Sequence, residues 1–199
     1  MSAEASRIRV DALRNRNRIL DVARALFAER GIDVPMAAIA RRAGVGAATL
    51  YRRFPTKESL VTEVFADQFA VCVSLVDDAL TDPDPWRGFC TVIRKVCDMQ
   101  AVDRGFSAAF PEAERYHDRA MRSFAELTRR AKESGQLRPD FVPGDLVLLA
   151  MANSGITAEP AATLAASRRL VAYLLDAFRA QPNEPLPPPA PLNPRDVLG

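Results

Sequence analysis

Three cysteines, one histidine and one tryptophan are all that 199 residues supply of those types, and the shortage closes several routes at once. An odd number of cysteines builds no closed disulfide framework and fits a reducing cytoplasm. Cys90 and Cys97 lie seven apart on one helical face while Cys72 stands elsewhere. No Cys-x-x-Cys or His-rich spacing appears, so neither a metal nor another cofactor is expected. His117 alone offers little for acid–base work, and AGVGA (43–47) lacks the Lys-Ser/Thr of a phosphate-cradling loop. The chain is therefore expected not to be an enzyme. Also missing are an apolar run of the roughly 20 residues a membrane span needs and an apolar segment within the first thirty residues. A soluble, cytoplasmic protein with no membrane partner is the expectation. No stretch alternates with period two, which leaves an all-α fold class.

What is present is unevenly distributed. The formal net charge is only +2, yet residues 1–58 hold twelve Lys/Arg against six Asp/Glu, a balance of +6. The rest holds fifteen against nineteen, a balance of −4. A basic first portion beside a mildly acidic larger one points to a polyanion partner for the first alone.

The apolar spacing predicts about nine helices. Ile19, Ala23, Leu26 and Phe27 share one face of a helix that starts near Asn15 and stops at Gly31. Pro35 suits the first turn of a second helix carrying Met36, Ile39, Ala40 and Ala43, which Gly44 ends. A short third helix from Ala47 buries Leu50 and Phe54. Thr56 caps a fourth, with Ser59 or Glu58 as its partner. Val61, Phe65, Phe69, Cys72, Val76 and Leu80 keep one stripe along that helix for about five turns. Further helices are expected over 85–102, briefly before Pro111, and over 112–134, 144–153 and 160–180. The domain reading is a flexible arm over 1–14, a helix-turn-helix domain over 15–60, a larger helical domain over 61–180 and a Pro-rich disordered tail over 181–199.

Two helices joined by a tight glycine turn, the second short and cationic, match the helix-turn-helix plan. Such a second helix enters the major groove with its N-terminal residues at the base edges. Gly46, Ala47 and Ala48 form that front: they allow close approach and contact with thymine methyls but no bidentate base contact. Arg52 and Arg53 can reach phosphates, and Arg52 is the best candidate for a guanine contact. Arg14, Arg16 and Arg18 can follow the backbone or enter the minor groove.

NRILDVARALFAERGIDVPMAAIARRAGVGAATLYRRFPTKESLVTEVF, residues 17–65, resembles the TetR family of transcriptional regulators, most closely in LFAERG, IARRAGV and TLYRRFPTKESL. GQLRPD before PGDLVLLA, within 135–150, resembles a stretch of that family's regulatory domain more loosely. The resemblance implies that Thr49 and Tyr51 face DNA and that Lys57 binds phosphate. It departs from the family at Val34-Pro35, where many members place a capping Thr or Ser, and at Ala37, where some place a base-reading side chain. Both departures favour shape and phosphate recognition over rich base readout.

A groove-binding helix needs a second one roughly 34 Å away, so a homodimer on an inverted repeat of double-stranded DNA is expected. The nearly apolar 144–153 segment and the last helix are the candidate interface, through Leu149, Asn153, Leu164, Arg168, Val171 and Leu175. The alternative for each is plain core within its own chain. The resemblance further implies a pocket for a small-molecule effector, with Phe65, Phe69, Trp86, Phe89, Met99, Phe106, Phe110, Tyr116 and Met121 as candidate lining. The expected function is repression relieved by a small apolar or aromatic ligand. Two alternatives are a thiol-sensing regulator and a helical interaction module that recruits a partner through its Pro-rich tail.

Overall fold

The structure is a computed structural model and describes residues 2–109, 114–156, 158–180, 184–189 and 192. Among the described residues it holds ten helices and no strand. The chain divides into two compact units, one running through Ala66 and one from Asp67.

The first unit, the head, contains α1 (Ser2–Arg30), α2 (Met36–Arg42), α3 (Ala47–Arg53) and α4 (Lys57–Val64). Helix α1 begins earlier than the Asn15 start expected from its apolar period. Its stripe of Ile19, Ala23, Leu26 and Phe27 is buried, as are Ile39, Leu50 and Leu60 from the other three helices and Phe54 just past α3. Pro35 stands just outside α2 as its N-cap rather than inside the first turn, and no side chain caps that helix. Thr56 and Ser59 cap α4 reciprocally: the Ser59 N–H donates to Thr56 Oγ1 at 3.1 Å and the Thr56 N–H to Ser59 Oγ at 3.3 Å. That arrangement satisfies backbone donors the helix start would otherwise leave unpaired.

The single helix expected over 57–80 is two. Phe65 leaves the helical region at φ −108° and ψ 14°, and α5 (Ala66–Thr81) follows. Phe65 is fully buried, its ring 6.2 Å from that of Phe27, with the Arg24 guanidinium 5.3 Å from its centroid. An i, i+4 stripe is satisfied equally by a straight helix and by two helices meeting at a buried residue, so the spacing could not reveal the break. Counting α4 and α5 as one recovers the expected nine.

The larger unit continues with α6 (Pro85–Val102), α7 (Arg104–Ala109), α8 (Glu114–Glu133), α9 (Pro143–Ser154) and α10 (Pro160–Ala177). Asp84 caps α6, accepting from the Trp86 and Arg87 amides at 3.1 and 3.2 Å. Gly88 lets α6 lie close to α5: a Cβ there would stand 2.7 Å from the Ala79 carbonyl oxygen. Phe89 is the hub of the core, 5.6 Å from Trp86 and 5.5 Å from both Phe124 and Phe141. Past α10, the Leu186 amide donates to the Asp140 carboxylate at 3.1 Å. Most of the Pro-rich segment lies outside the described residues. Among those described, no single helix is long and apolar enough to cross a membrane.

Candidate nucleic-acid interface and effector cavity

The turn between α2 and α3 closes through two backbone bonds. The Gly44 N–H donates to Arg41 O at 3.2 Å and the Val45 N–H to Ala40 O at 3.0 Å. Gly44 has φ +65°, a conformation that L side chains rarely adopt. Gly46 then opens α3 with no side-chain cap, and Ala47 and Ala48 behind it are exposed. Leu50 and Phe54 anchor the helix with 0% and 4% exposure, which turns the rest of it outward. Tyr51 is 49% exposed, Arg52 and Arg53 are exposed, and Thr49 is half-buried. The outcome is a cationic, aromatic ridge behind a front almost free of side chains.

Lys57, the first residue of α4, is 3.8 Å from Asp33, whose side chain is wholly exposed. Of the three alternating arginines, Arg14 is exposed, and Arg18 is exposed and donates to Asn15 at 3.0 Å. Arg16 differs from both. It is hydrogen-bonded and ion-paired to Glu63 of α4, so its guanidinium is committed inside the head. Sequence reasoning missed this brace and a second one, in which Arg24 donates to the Val64 carbonyl at the end of α4. A third is the two-pronged pair of Arg42 with Glu29, both contacts at 2.8 Å, which holds the Glu29 carboxyl below its usual range. Long-range contacts of this kind leave no periodic trace in a sequence.

In the larger unit a cavity of about 80 Å³ opens among α5, α6, α8 and α9. Its wall is mostly short or branched: Val76, Val92, Val96, Ala120, Val147 and Ala150 face it. Of the nine residues expected to line a pocket, Met121 is the only one among those described that does so. Trp86 and Phe89 are spent in the aromatic core, and Phe69 packs on Phe106 with centroids 5.3 Å apart. Phe65 belongs to the head core, and Met99 is half-buried away from the cavity. Phe110 and the side chains of Tyr116 and His117 lie outside the described residues. The physical reason is general. Large rings bury most area by packing on one another, whereas space is left where valine and alanine meet across helices.

The cavity's polar element is Gln100, 4% exposed on α6. Asn153 Nδ2 donates to Gln100 Oε1 and to the Cys97 carbonyl, both at 3.2 Å, and Ser167 Oγ donates to Asn153 Oδ1 at 2.6 Å. Burial pushes the Cys72 thiol up to about 11 and the Cys97 thiol up to about 12, so both are neutral in the cavity wall.

Four of the six expected interface residues need a similar correction. Leu149, Asn153, Val171 and Leu175 are at most 3% exposed within their own chain, and Leu164 is half-buried. Arg168 is exposed and paired with Asp98 at 3.0 Å. The outward apolar side chains of α9 and α10 are instead Leu148, Met151 and Tyr173, at 48%, 41% and 59% exposure. A helix apolar on every side does not disclose which stripe turns inward.

The family model described as bacterial regulatory proteins, tetR family, matches residues 19–64, from within α1 to the end of α4. An HTH-type transcriptional regulator of Staphylococcus aureus (strain bovine RF122 / ET3-1) is 44% identical over 54 residues, 27% of this chain. That match spans only 29% of the relative's own length. A TetR transcriptional regulator of Streptomyces coelicolor, solved by crystallography, is 27% identical with a TM-score of 0.50 over 82% of this chain and 98% of its own. The transcriptional regulator FadR of Bacillus subtilis, solved in complex with stearoyl-CoA, shares the fold at 16% identity and a TM-score of 0.60, over 79% of this chain and 96% of its own. With the helix-turn-helix matched by sequence and the likeness carried on through the larger unit, the chain belongs to the TetR family of bacterial transcriptional regulators, DNA-binding proteins rather than enzymes.

Proposed function

We propose that the protein is a homodimeric repressor, working in the cytoplasm, that holds an inverted-repeat operator until a small apolar or aromatic molecule enters its larger unit. The observation that carries the reading is the outward ridge of α3. Tyr51 and Arg52 stand exposed behind Gly46, Ala47 and Ala48, on a helix anchored by Leu50 and Phe54. Thr49, Tyr51, Arg53 and Lys57 hold phosphates, Arg52 reaches a guanine, and the alanine front rests against thymine methyls. Arg14 and Arg18 extend along the backbone, while Arg16 serves as a brace.

A second copy packs on the outer faces of α9 and α10 through Leu148, Met151 and Tyr173, and so supplies the second recognition helix. Effector binding in the cavity favours one arrangement of the two heads over another. It acts only through its difference in affinity for those arrangements. Phe65 is the one residue between α4 and α5. Couplings of this type run to about 1–3 kcal/mol, or roughly 5- to 150-fold in operator affinity.

The test is binding of the full chain to DNA beside its own coding region, followed by fluorescence anisotropy against a random duplex across a salt series. Tight, steeply salt-dependent and sequence-selective binding by a dimer is expected. A monomer, or equal indifference to both duplexes, overturns the proposal.

A further inference from the structure

We infer that the cavity takes an uncharged, largely apolar molecule of single-ring size bearing one hydrogen-bond acceptor oxygen, and that Gln100 Nε2 donates to that oxygen. The inference deepens the effector reading above and rests on it.

The partners of Asn153 and Gln100 fix the orientation of both amides. The Cys97 carbonyl can only accept, so the Asn153 atom 3.2 Å from it is Nδ2. Asn153 Oδ1 is then the atom that accepts from Ser167 Oγ, at 2.6 Å. Asn153 Nδ2 therefore requires an acceptor at Gln100, which makes that atom Oε1, at 3.2 Å. Gln100 is left with its Nε2 donor, and among the described residues no acceptor is paired with it. The side chain lines the cavity and is only 4% exposed, so a donor without an acceptor stands at the edge of an otherwise apolar space. No fully enclosed side-chain N or O among the described residues lacks a partner, so this donor reaches the accessible space of the cavity, where a ligand oxygen would pair with it.

Size and charge follow from the wall. The cavity measures about 80 Å³. An apolar cavity of about 150 Å³ holds benzene. The cavity here is about half that volume, so a single ring enters only as the wall gives way, and Met121, whose unbranched thioether side chain adapts readily, is the lining residue best able to yield. Among the described residues no Asp, Glu, Lys or Arg lines the space, so a charged ligand would enter unpaired.

The experiment compares cyclohexanone with methylcyclohexane, which has the same number of non-hydrogen atoms but no acceptor. Both are titrated into the isotope-labelled full-length protein and followed by NMR. Cyclohexanone is expected to move the Gln100 side-chain amide signals, and methylcyclohexane is not. Gln100→Leu should weaken cyclohexanone binding by about fivefold or more while leaving methylcyclohexane binding undiminished. Gln100→Met serves the same comparison if the leucine variant misfolds, as judged by circular dichroism. Equal changes for both compounds, or an amide that ignores cyclohexanone, overturn the role of Gln100 and leave the cavity as an effector site. Failure of the wild-type protein to bind either compound overturns the cavity reading itself.

Discussion

Arg16 on α1 is ion-paired with Glu63 on α4, and both side chains are 30% exposed. The pair ties the first helix of the head to the last one and withdraws this arginine from the alternating basic run around it. Arg16→Ala is expected to cost about 1 kcal/mol or less in stability, as partly exposed pairs do. It should leave the salt slope of operator binding unchanged. Thermal unfolding and salt-titrated anisotropy check both points, and a slope reduced by about one would place Arg16 on a phosphate instead.

In the proposed reading, Asp33 competes with DNA for Lys57. The two charges are 3.8 Å apart and Asp33 is wholly exposed, so a phosphate that reached Lys57 would also meet this carboxylate. Asp33→Asn is expected to raise operator affinity, by about fivefold at most at low salt. Lys57→Ala should lower affinity and reduce the salt slope by about one. Weaker binding by Asp33→Asn would mean that the aspartate positions the lysine rather than restraining it.

Two glycine substitutions separate backbone strain from steric overlap. Gly44→Ala meets open space but must hold φ +65°, and is expected to cost about 1–2 kcal/mol. Gly88→Ala has an ordinary backbone but places its Cβ 2.7 Å from the Ala79 carbonyl oxygen, so α5 and α6 must part. About 1–3 kcal/mol is expected there. Denaturant unfolding measures both. Gly44→Ala alone should also weaken operator binding, because it loosens the turn that aims α3.

Burial holds Cys72 near 11 and Cys97 near 12, both above their ordinary value of 9.0. Since the folded values are raised, the stability linked to these thiols is complete below pH 9. It declines as pH climbs from about 9 towards 11 and 12, where the unfolded chain ionises first. The denaturant midpoint should drift downward over that range and stay flat between pH 7 and 8.5 so far as these groups are concerned. A thiol reagent at pH 8 should label the unfolded protein far faster than the native one. Rapid native labelling would revive the thiol-sensing alternative.

The head was legible because its signals are local. Ile19, Leu26, Leu50 and Phe54 are buried where the period placed them, Gly44 closes the turn, and Ser59 answers Thr56 across α4. The larger unit was legible only as a succession of helices. Phe89 and Trp86 are apolar and correctly spaced, yet their rings fill the core, and the cavity falls to valines and alanines that carried no distinctive mark.

Periodicity, glycine placement and charge separation settled by themselves that this chain is helical and that its basic end carries a short exposed helix, since each depends on neighbours within a few residues. Only the tertiary structure decided that Arg16 braces α4, that Leu148 and Tyr173 rather than Leu149 and Val171 face outward, and that Gln100 stands beside unfilled space. Those outcomes depend on which residues distant in the chain meet across helices, a relation that spacing along one helix does not contain.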